Sequence, residues 1–187
     1  MALACLFLSA QGARADATYC YQGNDFTTIT ENTFVGGTNP YTTSDKVTGC
    51  VTLSSALPAN SPLTLQSDVV SFLFSDGVQE IGGPSFEPFF SINLGTKNGA
   101  ITSWSIFVSS PVTIISTESV PTEFGTLSMD EGFLGTMADF TAFNTDDPGT
   151  WSAAEPSSLI LLLLGVTAIG IVILRVRQPD RTALAIH

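Results

Sequence analysis

Lys46-Val47-Thr48-Gly49-Cys50-Val51-Thr52-Leu53-Ser54 is the stretch that decides the fold. Val47, Val51 and Leu53, with Gly49 between them, fall on one side of an extended chain, and Lys46, Thr48, Cys50 and Thr52 fall on the other. A period of two is what a half-buried strand requires, because successive side chains leave a pleated backbone in opposite directions. The alternation returns in 100–109, where Trp104, Ile106 and Val108 share a face opposite Ser103 and Ser105. Further strand-like runs rich in Val, Ile, Thr and Phe occupy 18–21, 26–30, 69–75, 89–94, 112–116 and 124–129, between clusters of Gly, Pro, Asn and Asp. Nothing in this region sustains a 3.6-residue period, and no fixed-period repeat suggests a solenoid. The expectation is an all-β domain over residues 16–143, an antiparallel sandwich or jelly roll, with about 130 residues to enclose one core.

Outward from that body, the two ends read as addresses. Residues 2–10 are apolar and precede Ala13-Arg14-Ala15, a small-x-small cleavage pattern ahead of Asp16. Residues 1–15 are therefore expected to be a signal peptide, one truncated at its start because no Lys or Arg precedes the apolar part. At the other end Ala154-Glu155-Pro156-Ser157-Ser158 introduces an apolar run over 159–174, closed by Arg175 and Arg177 as a membrane stop. Those 16 residues make about 24 Å of helix against a hydrocarbon core of about 30 Å. Snorkelling arginines and local thinning cover the difference. The run has no polar face, which favours a transmembrane helix over a buried core helix.

Charge supports the same topology. Between Asp16 and Glu155 lie two basic residues, Lys46 and Lys97, against sixteen acidic ones, a net −14. The tail beyond Leu174 carries three Arg against one Asp. Positive charge flanking a span marks its cytoplasmic side, so the acidic domain is expected outside. So acidic a domain lacks the cationic footprint that nucleic acid requires, which excludes that partner.

Glu155-Pro156-Ser157, the Leu-rich run and the arginine pair resemble the PEP-CTERM sorting signal, also known as the ice-binding protein C-terminal domain. Ala154 stands where the first Pro of the motif would be, and ten residues follow Arg177 where such proteins usually stop. The resemblance implies export, retention in the inner membrane, and processing near Ala154, Glu155, Pro156 and Ser157 by an exosortase-type protease. The body is similar to an exported domain recurrent in such proteins. The carrying stretches are Tyr19-Cys20-Tyr21-Gln22-Gly23-Asn24-Asp25-Phe26-Thr27, Tyr41-Thr42-Thr43-Ser44-Asp45-Lys46-Val47-Thr48-Gly49, Ser71-Phe72-Leu73-Phe74-Ser75-Asp76-Gly77 and Gly99-Ala100-Ile101-Thr102-Ser103-Trp104. That second likeness implies a shared fold and no particular activity.

With Cys5 in the signal, Cys20 and Cys50 form an even pair in an oxidising compartment. Each lies opposite the large apolar residues of its run, so neighbouring strands would bring the thiols together as a disulfide. Two Cys without His fall short of a zinc site, and no metal or cofactor is expected. The only histidine is His187, beyond the membrane segment, which removes His-based hydrolase chemistry from the exported part. No G-x-S-x-G, phosphate loop, EF-hand or H-E-x-x-H occurs. Thr145-Asp146-Asp147-Pro148-Gly149-Thr150-Trp151 approaches a sialidase Asp-box but is one residue short and unrepeated. Carboxylate pairs remain: Asp76 with Glu80, Glu118 with Glu123, Asp130 with Glu131. No catalytic residue is assigned, since any domain with sixteen acids offers pairs.

Phe86, Phe89, Phe90, Trp104, Phe107, Phe133, Phe140 and Phe143 could form a sugar-stacking platform, although Phe and Trp on strands are more often core. The threonines cluster in 27–33 and 38–48 without the regular ranks an ice-binding face would need. Residues 144–155 read as a linker, with Asp146-Asp147-Pro148-Gly149 as its turn, and 156–187 as the sorting signal with its basic cytoplasmic tail. The expectation is a non-enzymatic surface or extracellular-matrix protein with a structural or adhesive role, held in the inner membrane or released from it. The alternative is a polysaccharide- or calcium-binding module, with a carboxylate-based glycoside hydrolase behind it. The expected partners are the membrane, the processing protease and exopolysaccharide.

Overall fold

The computed structural model describes residues 16–31, 38–83, 89–135 and 140–153. Among them are twelve strands and no helix: β1 (Ala17–Gln22), β2 (Thr28–Glu31), β3 (Thr48–Leu53), β4 (Ser61–Leu65), β5 (Val69–Ser75), β6 (Glu80–Gly82), β7 (Phe89–Lys97), β8 (Ala100–Ser110), β9 (Thr113–Thr122), β10 (Gly125–Leu134), β11 (Phe140–Thr145) and β12 (Thr150–Ala153). They form a five-stranded sheet, β12-β1-β3-β5-β6, and a seven-stranded sheet, β2-β11-β10-β9-β8-β7-β4. Every pairing is antiparallel. The expected all-β class is what the chain adopts. The expected transmembrane helix, 159–174, and the signal, 1–15, lie outside the described residues; among those described, no helix is long and apolar enough to cross a membrane.

Strands β7 to β11 run as a meander, each pairing with the next. The β7–β8 turn shows why: Asn98 and Gly99 both sit at positive φ, 55° and 83°, the left-handed pair whose twist matches that of a two-residue hairpin. Inward residues of both sheets share one core. Val51 and Phe74 of the smaller sheet and Ile92, Ile106 and Ile115 of the larger are among its buried members. Each such side chain taken from water contributes roughly 1.5–3 kcal/mol. The faces read from the sequence are the observed ones: Val47, Val51 and Leu53 are buried, as are Trp104, Ile106 and Val108. Gly49 is confined on this face, since a methyl there would overlap the Phe74 ring and the Leu73 carbonyl.

One boundary is corrected. Residues 144–155 are not simply a linker: β11 runs to Thr145 and β12 takes Thr150–Ala153, pairing along β1 with Tyr21 opposite Trp151. Asp146-Asp147-Pro148-Gly149 is a corner that carries the chain from the larger sheet to the smaller. It is tied down by Asn24 Nδ2, which donates to the carbonyls of Asp147 and Pro148, both at 3.3 Å. Strands β4, β6, β11 and β12 lie where the sequence pattern predicts no strand. β9 and β10 extend well beyond 112–116 and 124–129, because their continuations bury Thr117, Ser119 and Asp130 where an apolar pattern would be sought.

Candidate functional site

Between the sheets runs a buried polar seam. Tyr21 of β1 donates to both oxygens of Asp130 of β10, at 2.7 and 3.0 Å, and the Gly149 N–H donates to the Tyr21 hydroxyl at 2.9 Å. Trp104 Nε1 donates to Thr117 Oγ1 at 2.9 Å. The rings of Tyr21, Trp104 and Trp151 stand against one another with centroids 5.3–6.2 Å apart. Burial pushes the Asp130 carboxyl above the usual range; hydrogen bonding from Thr117, Tyr21 and Asn144 holds the rise back, and Asp147 adds to it. Burial and the adjacent carboxylate also raise the Tyr21 hydroxyl.

A second pairing repeats the device. Tyr41 donates to Asp76 Oδ2 at 2.5 Å, and Asp76 Oδ1 accepts the N–H groups of Val78 and Gln79, closing the β5–β6 turn. Gly132 leaves the space these groups fill, since a methyl there would crowd Asp76 and the Tyr41 hydroxyl. The Tyr19–Gly23 motif thus ties the two sheets through Tyr21, while the Tyr41–Gly49 and Ser75–Gly77 motifs meet at the β5–β6 turn, where Tyr41 and Asp76 pack closely over Gly132 of the larger sheet. Both seams are closed to solvent and suit a structural role.

The open chemistry lies on the outer face of the seven-stranded sheet. Register sets Phe89, Ser109, Ile114, Phe133 and Thr141 in one row. The next row holds Ser91, Phe107, Ser116, Glu131 and Phe143, and the third Asn93, Ser105, Glu118, Met129 and Thr145. An antiparallel sheet with one solvated face ordinarily turns polar side chains outward. Here Phe89 is 69% exposed and meets Phe107 edge to face, centroids 6.1 Å apart. Glu131, between Ser116 and Phe143 in its row, is pushed above the ordinary carboxylate range by burial; a hydrogen bond with Ser116 lowers it and the charge of Glu118 raises it. Aromatic rings, hydroxyls and two carboxylates on one surface can stack, accept hydrogen bonds and attract a cation.

The aromatic set expected as a single platform divides. Phe89, Phe107, Phe133 and Phe143 are on this outer face. Trp104 is buried, Phe90 turns inward against Phe72 with centroids 4.9 Å apart, and Phe140 packs on the core. Phe86 lies outside the described residues. The carboxylate pairs divide too. Asp130 and Glu131 are neighbours on a strand and point to opposite faces; Asp76 is buried while Glu80 is exposed. Glu118 and Glu131 instead become diagonal neighbours across the β9–β10 pair, a placement that spacing in sequence does not reveal.

Cys20 and Cys50 stand directly opposite on β1 and β3 and are joined in a disulfide. It lies on the outer face of the five-stranded sheet, in a shallow groove of about 310 Å³ bordered by Gln22, Thr48, Leu73 and Glu80. Among the described residues no three His, Cys, Asp or Glu side chains are grouped to hold a metal. The sorting residues Ala154, Glu155, Pro156 and Ser157, and the stop residues Arg175 and Arg177, lie outside the described part. Comparison with protein-family models, curated proteins and solved structures finds no match.

Proposed function

We propose that this chain is an exported surface or matrix protein of the PEP-CTERM kind, whose β domain makes adhesive contacts through the outer face of its seven-stranded sheet. The C-terminal apolar segment holds it in the inner membrane until an exosortase-type protease releases it. The observation that carries the adhesive role is the apolar set on a face that would ordinarily be polar: Phe89, which is exposed, with the half-buried Phe107, Ile114, Phe133 and Phe143 beside it in register. The Cys20–Cys50 disulfide supports residence in an oxidising compartment. The net −14 keeps such a domain soluble outside the cell while its apolar face stays available.

The test replaces Phe133 and Phe143 with Ser in the host and compares attachment and aggregation of cells at matched levels of exported protein. Loss of attachment with unchanged export is expected. Attachment equal to wild type would remove the adhesive face from consideration.

A further inference from the structure

Taking the outer face of the seven-stranded sheet as the contact surface, as proposed above, we infer that it binds a cationic amino-sugar polymer. In this arrangement Phe107, Phe133 and Phe143 stack on sugar faces, and Glu118 with Glu131 pair the ammonium groups. The rows are chequered rather than continuous: Ser109 separates Phe89 from Ile114, Ser116 separates Phe107 from Glu131, and Glu118 lies between Ser105 and Met129. A protein interface gathers its apolar groups in a dry centre with a polar rim. Rings alternating with hydroxyls and carboxylates match a pyranose chain, which offers apolar C–H faces and equatorial polar groups in alternation.

Charge decides which polymer. Glu118 faces Met129 and Glu131 faces Ser116 across the β9–β10 pair, so the two carboxylates are diagonal neighbours on one face of the sheet, and the charge of Glu118 raises the carboxyl of Glu131. Neither described lysine neutralises them: Lys46 is ion-paired with Asp25, and Lys97 ends β7 at the Asn98-Gly99 turn. An ammonium between the pair would relieve their repulsion and could lie over the Phe143 ring, which stands directly across from Glu131. A uronate-bearing polymer would meet this pair, and a domain of −14, with like charge. A second copy docking symmetrically would bring the same acids face to face. Anionic lipid headgroups would be repelled likewise.

The experiment uses the full-length chain in detergent and measures retention on four immobilised polymers: β-linked glucosamine, its fully N-acetylated form, a uronate polymer and polylysine. Wild type should be held by the glucosamine polymer, about tenfold more weakly by the acetylated form, and not by the uronate. Changing both Glu118→Gln and Glu131→Gln should abolish the preference for free amine. Phe133→Ser with Phe143→Ser should abolish retention on both sugar polymers, with melting of each variant checked against wild type. Retention on the acetylated chain equal to that on the glucosamine polymer, but lost in the phenylalanine variant, would overturn the amino-sugar assignment and leave the contact face standing. Equal retention by polylysine, undiminished in the phenylalanine variant, would overturn it as bulk charge attraction. No retention on either sugar polymer, together with the cell-attachment defect described above, would overturn the ligand class alone.

Discussion

The Tyr21 hydroxyl donates to the Asp130 carboxylate at 2.7 Å, joining β1 of one sheet to β10 of the other through the centre of the domain. Asp130 is raised chiefly by burial, so its proton is held more tightly in the fold than in the unfolded chain. A carboxyl raised in this way contributes its full stability below the unfolded value of about 3.9 and loses it as pH rises through the folded value. Asp130→Asn removes the charge while keeping an oxygen for Tyr21. Urea denaturation at successive pH values from acid to neutral should therefore show the variant gaining on wild type as pH rises. A difference that is flat, or that tilts toward wild type, would contradict the assignment.

Tyr21 and Tyr41 are both raised by burial and by the carboxylates they serve, Asp130 and Asp76. Their stabilising contribution is complete below the ordinary phenol value of about 10 and disappears as pH climbs through the folded values. In an alkaline titration the phenolate absorbance of these two tyrosines should appear only together with unfolding, followed by tryptophan fluorescence. Phenolate forming fully before any fluorescence change would show the two hydroxyls to be accessible.

The Cys20–Cys50 bridge closes a separation of 30 residues between neighbouring strands. Chain entropy assigns such a loop about 3–4 kcal/mol. Replacing both cysteines with Ser should lower the melting temperature by roughly 10 °C at this domain size, since each kcal/mol shifts it by about 2–4 °C. Calorimetry showing an unchanged transition would mean that strand pairing alone holds β1 against β3.

Much of this was legible from particular residues. The alternation of Val47, Val51 and Leu53 identified β3 and its buried face, and the positions of Cys20 and Cys50 opposite their apolar neighbours anticipated the bridge. What hid the rest was polarity inside the core. Thr117 is buried because Trp104, 13 residues away, donates to it, and Asp130 because Tyr21, 109 residues away, does. Such distant partners leave no local pattern, so the sequence shows β9 and β10 as shorter than they are. The aromatic residues misled for the converse reason: with Phe on both faces of the larger sheet, composition cannot separate Phe107 from Trp104. Glu118 and Glu131 become diagonal neighbours only through the β9–β10 register.

Gly49 sits on β3 beneath the Phe74 ring with no room for a methyl. Gly49→Ala should destabilise the domain by about 1–3 kcal/mol, the usual effect of forcing volume into a packed core. Gly99→Ala has open space at its Cβ, so its effect should come from its positive φ of 83°. Combining Gly49→Ala with Phe74→Leu should recover part of the loss at the first site. Urea midpoints for the single and double variants check this, and a Gly49→Ala midpoint equal to wild type would mean the ring moves aside freely.

Strand β12 sets a limit on where the chain can be cut. Trp151 lies across from Tyr21 and packs against it with centroids 5.3 Å apart, while Gly149 donates to the Tyr21 hydroxyl. Removing Thr150–Ala153 would uncover one side of β1 and take Trp151 away from the Tyr21 ring. Any protease-released form recovered from the host should therefore retain Trp151 and end at or beyond Ala153. Intact mass of the protein from medium, envelope and membrane fractions measures this, and should also show the mature form to be two hydrogens lighter than its reduced counterpart. A stable released form ending before Trp151 would mean that the smaller sheet does not need β12. Only full-length protein in the membrane would mean that the terminal segment is a plain anchor, and the released matrix form would be abandoned.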